Sequence, residues 1–171
     1  GHMSISLLTI LFKNKNGLIN EEQNDFFTGM FANPIYLNKF PYGNFTENEK
    51  RLIYNSSDFY SLNYYGNGDM EPNVINFYKY NANIGVYNLT DCLNWIYKKY
   101  SFKNILISET GKKDNEIYYD YKRIDFFKKS LYQLNQFIEK NNNVQVIGYN
   151  IWSLLDNYEW GSYDSRYGVY Y

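Results

Sequence analysis

At 171 residues, with a net charge of −1 and a pI near 5.9, the chain has room for one domain with a real core and carries no charge field that would draw nucleic acid or an anionic membrane. Its 25 Asn and 21 Tyr read as codon bias more than as a binding surface, and no run reaches the roughly 18 apolar residues of a membrane span. Cys92 is alone and the single histidine, His2, lies in Gly1-His2-Met3, which reads as the remnant of a cleaved tag ahead of one domain over residues 4–171.

Catalysis, if present, must therefore rest on carboxylates. No metal site and no cofactor is expected, the partners in view are neutral or weakly polar molecules, and the compartment is left open with the cytoplasm as default.

In chain order, Ile5 to Phe12 predicts an opening strand, since the run is short and lacks the basic flank of a signal peptide. Asn20 to Phe31 predicts a helix with Glu21, Glu22 and Asp25 at its electropositive end, stopped by Asn33-Pro34. Thr46-Glu47-Asn48-Glu49 predicts a capped short helix to about Asn55, with Leu52 and Ile53 facing inward. Asp58 to Tyr65 follows as a strand ended by Gly66-Asn67-Gly68, and Val74 to Tyr87 as a surface hairpin.

A helix from Thr90 places Leu93, Ile96, Tyr97 and Tyr100 on one face and leads to a strand at Asn104 to Ser108. The longest helix, Tyr118 to Lys140, carries an apolar stripe of Ile124, Phe127, Leu131, Leu134 and Ile138; Asn141 to Asn143 end it before a last strand from Val144. Strands alternating with helices give an α/β fold of about four parallel strands with crossovers. An eight-stranded β/α barrel typically takes about 250 residues. An open half of one exposes two strand edges and an apolar inner face that something must cover.

Apolar runs ending in carboxylates mark where chemistry sits in such folds, at the C-terminal ends of the strands. Ile105-Leu106-Ile107-Ser108-Glu109-Thr110-Gly111 and Gly148-Tyr149-Asn150-Ile151-Trp152-Ser153-Leu154-Leu155-Asp156-Asn157-Tyr158-Glu159-Trp160 are two such runs. Together they resemble the signature regions of glycoside hydrolase family 1, the retaining β-glucosidase-type enzymes. A third segment, Asp58-Phe59-Tyr60-Ser61-Leu62-Asn63-Tyr64-Tyr65, resembles the family's Asp-Phe-Leu-Gly-Ile-Asn-Tyr-Tyr strand.

The resemblance implies a partial (β/α)₈ (TIM) barrel, a half-barrel equivalent to the C-terminal half of the family fold. It implies Glu109 as the nucleophile, although Thr110 stands where the family has Asn. It further implies Tyr65 as a hydrogen-bond donor to that nucleophile, Asn63 as a pocket residue, Trp152 as the floor under the sugar, Glu159 as a binder of its hydroxyls and Trp160 packed beside it. Retaining hydrolysis needs a second carboxyl about 5–5.5 Å from the nucleophile. The family's Asn-Glu-Pro segment that supplies it does not occur here.

The expected substrate is a β-linked, unphosphorylated glucoside or similar sugar, handled weakly or only with a partner. That partner is either a second copy, giving a homodimer, or a separate N-terminal half. In a closed homodimer, Glu159 or Asp156 of one copy would approach Glu109 of the other as a substitute acid. The alternatives are a non-catalytic carbohydrate-binding or scaffolding pseudoenzyme, and a structural remnant.

Overall fold

The computed structural model describes residues 1–13, 16–66, 87–116 and 118–170. Its sheet has four parallel strands in sequential order, β1 (Ser6–Leu8), β2 (Tyr60–Tyr64), β3 (Asn104–Thr110) and β4 (Gln145–Ile151). Parallel neighbours require crossover connections, and helices provide them. Between β1 and β2 run α1 (Glu21–Asn24), a π-helical turn (Asp25–Gly29), α2 (Met30–Leu37) and α3 (Glu47–Ile53). α4 (Leu89–Tyr100) joins β2 to β3, and α5 (Tyr121–Lys140) joins β3 to β4. This is the arrangement of four successive units of a β/α barrel.

Leu7, Tyr60, Leu62, Tyr64, Ile105 and Ile107 of the sheet form one core with Leu93 and Ile96 of α4 and Leu134 and Phe137 of α5. Each such side chain contributes about 1.5–3 kcal/mol through burial. α4 is held at its head by a capping box, Asn88 Oδ1 accepting from Asp91 N–H and Asp91 accepting from Asn88 N–H. It is tied sideways to α5 by Leu89 N–H to Gln133 Oε1 at 3.0 Å and Thr90 Oγ1 to the Gln133 carbonyl at 2.9 Å.

The opposite face of the sheet carries polar groups beside apolar ones. Ser6 and Ser61 hydrogen-bond across it at 3.0 Å, Ser108 donates to Asn63 at 2.6 Å, and Gly148 adjoins Leu106 and Asn150. Leu8 and Leu106 share this face with those groups, so the surface that would line a barrel interior mixes polar and apolar side chains.

Several local expectations change in three dimensions. Asn33-Pro34 does not stop a helix: Pro34 lies inside α2, past the π-helical turn. Its neighbour Asn33 is buried and anchored at both ends of its amide, accepting from Tyr100 Oη at 3.1 Å and donating to Asp25 at 3.3 Å. These tertiary bonds hold the residue before proline in a conformation that local sterics disfavour. The opening strand is only three residues long; Thr9 N–H still reaches the Asn63 carbonyl of β2 at 3.3 Å, and no ladder pairing with β2 follows it. Phe12 then pairs with the buried Asn24 side chain and with Asn20 N–H.

α3 carries its capping box as expected but buries nothing, and Leu52 is 74% exposed. The longest helix begins at Tyr121 and is rotated relative to the predicted stripe. Arg123, Ser130, Leu134 and Phe137 are buried, whereas Ile124, Leu131 and Ile138 are exposed. Both stripes contain Leu134, and the buried guanidinium decides between them. The predicted hairpin over Val74 to Tyr87 lies outside the described residues except for Tyr87, which is buried.

Candidate active site

Strand β3 extends through Glu109 to Thr110, and Glu109 lies opposite Asn63 across a register shift in the β2–β3 ladder. Such a bulge re-aims side chains at a strand end. Here Glu109 Oε2 accepts a 2.7 Å hydrogen bond from Tyr65 Oη. Burial first, then this donation and the nearby charges of Glu109 and Glu159, hold the Tyr65 phenol well above its ordinary value near 10. It therefore remains a donor across the range in which the carboxylate is charged. Asn63, one residue from Tyr64 on the same strand, accepts from Ser108 Oγ at 2.6 Å.

The second carboxylate segment begins where β4 ends. Trp152 N–H donates to the Thr110 carbonyl at 2.8 Å, tying the two strand ends together. The Trp152–Ser153 peptide is cis. Trp152 Nε1 donates to Glu159 Oε1 at 2.7 Å, and Glu159 is further fixed by paired main-chain bonds with Ser162 at 2.8 and 3.0 Å. Indole and carboxylate thus form one unit at the same end of the sheet as Glu109, and Glu159 is close enough to Tyr65 to act on its ionisation.

Trp160 does not join that unit. It has a left-handed backbone at φ 47° and is 81% exposed, so the expected packing beside the carboxylate is not what the described residues show. Asp156 is paired within its own chain. Burial acts to raise its carboxyl, but the 2.7 Å bond from Arg166 Nε, the 2.8 Å bond from Gly168 N–H and the charges of Arg166 and Arg123 outweigh it and lower the pKa.

The stretch Tyr163 to Tyr170 resembles the family's Gly-Tyr-x-x-Arg-Phe-Gly-Leu ending, but the sequence did not show that it supports this region. The segment Arg166 to Tyr170 runs beside the Trp152 turn, with Ser153 N–H to the Tyr167 carbonyl at 3.2 Å, Val169 N–H to the Ser153 carbonyl at 3.0 Å and Tyr170 N–H to the Leu154 carbonyl at 3.0 Å. The buried Tyr167 ring meets Tyr65 edge-on at 5.8 Å. Arg123 is 1% exposed at the head of α5. Its signal was the Arg123, Ser130, Phe137 spacing of seven residues, which marks one helix face. Among the described residues no group of three His, Cys, Asp or Glu side chains is placed to hold a metal ion.

The chain is similar to known proteins over nearly its whole length. The aphid myrosinase structure superposes with a TM-score of 0.80 at 26% identity, covering 99% of this chain and 47% of the other. The structure of beta-glucosidase 2 from the fungus Trichoderma reesei, in complex with Tris, gives 0.79 at 25%, covering 99% and 47%. In sequence, Myrosinase 1 of Brevicoryne brassicae is 27% identical over 94% of this chain and 44% of its own length, and Beta-klotho of Mus musculus is 34% identical over 84% and 14%. The chain thus spans less than half the length of these relatives. The profile of Glycosyl hydrolase family 1 matches residues 73–171, more than half of the chain and including both carboxylate-bearing strand ends. With this match and a sheet that overlays roughly half of a complete barrel, the chain belongs to glycosyl hydrolase family 1 and folds as a partial TIM barrel.

Proposed function

We propose that this chain provides the nucleophile side of a retaining β-glycosidase site for an unphosphorylated β-glucoside or similar sugar. Glu109 attacks the anomeric carbon, Tyr65 aims it, and Asn63, Trp152, Glu159 and Trp160 contact the sugar. The observation that supports this reading best is the 2.7 Å bond from Tyr65 to Glu109 at the C-terminal end of β3. A phenol donor orients one carboxylate oxygen and leaves the other lone pairs for attack.

The acid/base carboxyl comes from a covering half, either a second copy in a homodimer or a separate N-terminal half. In support, the β4 edge leaves Ile147 and Ile151 exposed, and α5 beside it leaves Ile124, Leu131 and Ile138 exposed, an apolar flank of the kind that marks an interaction surface. Without that half, general acid assistance of about 10²- to 10⁴-fold is missing. A 2,4-dinitrophenyl β-glucoside, whose leaving group needs no proton, then reacts measurably faster than the 4-nitrophenyl analogue. Glu109→Gln abolishes either signal. Turnover that survives Glu109→Gln removes the assignment, and a monomer at all concentrations by ultracentrifugation removes the homodimer.

The second reading is a non-catalytic carbohydrate-binding or scaffolding protein. The exposure of Trp160 favours it, because a platform open to solvent can stack a sugar without enclosing it for reaction. Sugar-induced NMR shifts at Trp152 and Trp160 with no turnover of the dinitrophenyl substrate would select it.

A further inference from the structure

The side chain of Arg123 is enclosed and spends nearly all of its donor capacity on main-chain carbonyls from two separate segments. Nε donates to the Lys112 carbonyl at 3.1 Å, and Nη2 reaches the Asp114 carbonyl at 3.5 Å; both lie in the loop that follows Glu109. Nη1 donates to the Gly168 carbonyl at 2.7 Å, and Nη2 to the Arg166 carbonyl at 3.2 Å, both in the C-terminal segment. Asp120 on the preceding turn balances the charge at 3.0 Å. Asp114 N–H bonds the Arg166 carbonyl at 3.1 Å, so the two segments also touch directly around the guanidinium.

A buried cation with one partly buried counter-ion is costly unless its donors are satisfied. Packing alone would favour an apolar residue here, as at Phe137 further along the same face. The fork geometry of arginine suits the task of holding two strands of backbone at a fixed spacing, and lysine with its point charge does not reproduce it.

What that spacing controls lies one link away. The C-terminal segment carries Tyr167, whose buried ring supports Tyr65 edge-on, and Tyr65 donates to Glu109. The loop on the other side carries Gly111, which lies against the Trp152 carbonyl and Tyr167.

We propose that Arg123 is a positioning residue for the Tyr65–Glu109 pair: it clamps the loop after Glu109 to the C-terminal segment, and through Tyr167 it sets the angle at which Tyr65 meets the carboxylate. The proposal rests on the nucleophile reading above where rates are concerned, and on geometry alone where Tyr65 is concerned.

The test has two arms in the full chain. In the first, 3-fluorotyrosine is installed at position 65 and, in a separate preparation, at position 60 in the remote ring stack with Tyr36 and Tyr100. Arg123→Lys moves the fluorine resonance at position 65 toward that of the unfolded chain and leaves position 60 in place. Tyr167→Leu, which cuts the same chain of contacts one link later with the Arg123 bonds intact, reproduces the shift and decides the matter if Arg123→Lys does not fold. A position-65 resonance unmoved in the folded variants, or one that moves only together with position 60 in both, overturns the proposal.

In the second arm, 2,4-dinitrophenyl 2-deoxy-2-fluoro-β-glucoside is followed by intact mass. A Glu109 oxygen bonds to C1 while the C1–O bond breaks, and dinitrophenolate leaves with the electron pair. Arg123→Lys slows adduct formation by about 10- to 100-fold, the scale of a misplaced reacting group. Equal rates in wild type and variant overturn the proposal. No adduct in the wild type removes the nucleophile reading instead, and the fluorine arm then judges Arg123 by itself.

Discussion

At Gly111 the chain after β3 packs directly against the main chain of the Trp152 turn. A Cβ added there would lie 2.1 Å from the Trp152 carbonyl oxygen and 3.2 Å from Tyr167 Cδ1. Ordinary contact begins at 3.4 Å, so Gly111→Ala has to push the facing main-chain segments apart by about 1.3 Å in a close-packed region. These segments are joined by the 2.8 Å bond from Trp152 N–H to the Thr110 carbonyl, which bends or breaks. Overpacking costs about 1–3 kcal/mol and the strained hydrogen bond about 1 kcal/mol. Against this, alanine gains about 0.4–1 kcal/mol by restricting the unfolded chain. The net loss from these contributions is about 2 kcal/mol. At a urea slope of roughly 1–3 kcal/mol per molar the midpoint falls by about 1 M. Gly148→Ala is the matched control: its Cβ would meet Leu106 Cδ1 at 2.7 Å, the free end of a flexible side chain. A rotamer change relieves that contact, and alanine is favoured over glycine within a strand by about 0.5–1 kcal/mol, so its midpoint stays near that of wild type. Urea unfolding followed by tryptophan emission at one protein concentration checks both. A Gly111→Ala midpoint within about 0.3 M of wild type, or an equal fall in Gly148→Ala, would refute the argument that backbone contact at this turn is what demands glycine.

Leu134→Ala lowers stability by about 2–5 kcal/mol, whereas Leu131→Ala, at a position 50% exposed, stays within about 0.5 kcal/mol; a loss in Leu131→Ala as large as that in Leu134→Ala in denaturant melts would restore the stripe read from spacing. Tyr65→Phe removes the 2.7 Å donation to Glu109 and slows labelling by the fluoroglucoside with little loss of stability; labelling at the wild-type rate would show that this bond does not aim the carboxylate. Asp156 has a lowered pKa in the folded chain through Arg166 and Gly168 N–H, so its contribution is present above the unfolded value near 3.9 and is lost as pH falls through the lower folded value. Wild type therefore exceeds Asp156→Asn by roughly 1 kcal/mol near neutral pH, and the gap closes in acid; a gap that persists at the lowest pH would mean the carboxylate charge is not its source.

Strand and helix order was readable from the chain because apolar runs and caps are local properties. Thr46-Glu47-Asn48-Glu49 closes its capping box and the runs around Ile105 and Val146 are strands, as their residue types require. The family-like motifs likewise drew attention to Glu109, Tyr65 and Trp152 at or next to strand ends, and to Glu159 eight residues past the end of β4. What spacing could not decide was which of two equivalent stripes on α5 turns inward, whether Pro34 ends a helix, and where Trp160 goes. Those answers depend on partners far away in the chain. Arg123 is drawn inward by carbonyls of residues 112, 114, 166 and 168, Asn33 is held by Tyr100, and Trp160 is left 81% exposed by the surfaces that the described residues supply. A local pattern sets the period of an element, whereas its rotation and its stopping point are set by the bonds that only the closed tertiary structure brings within reach.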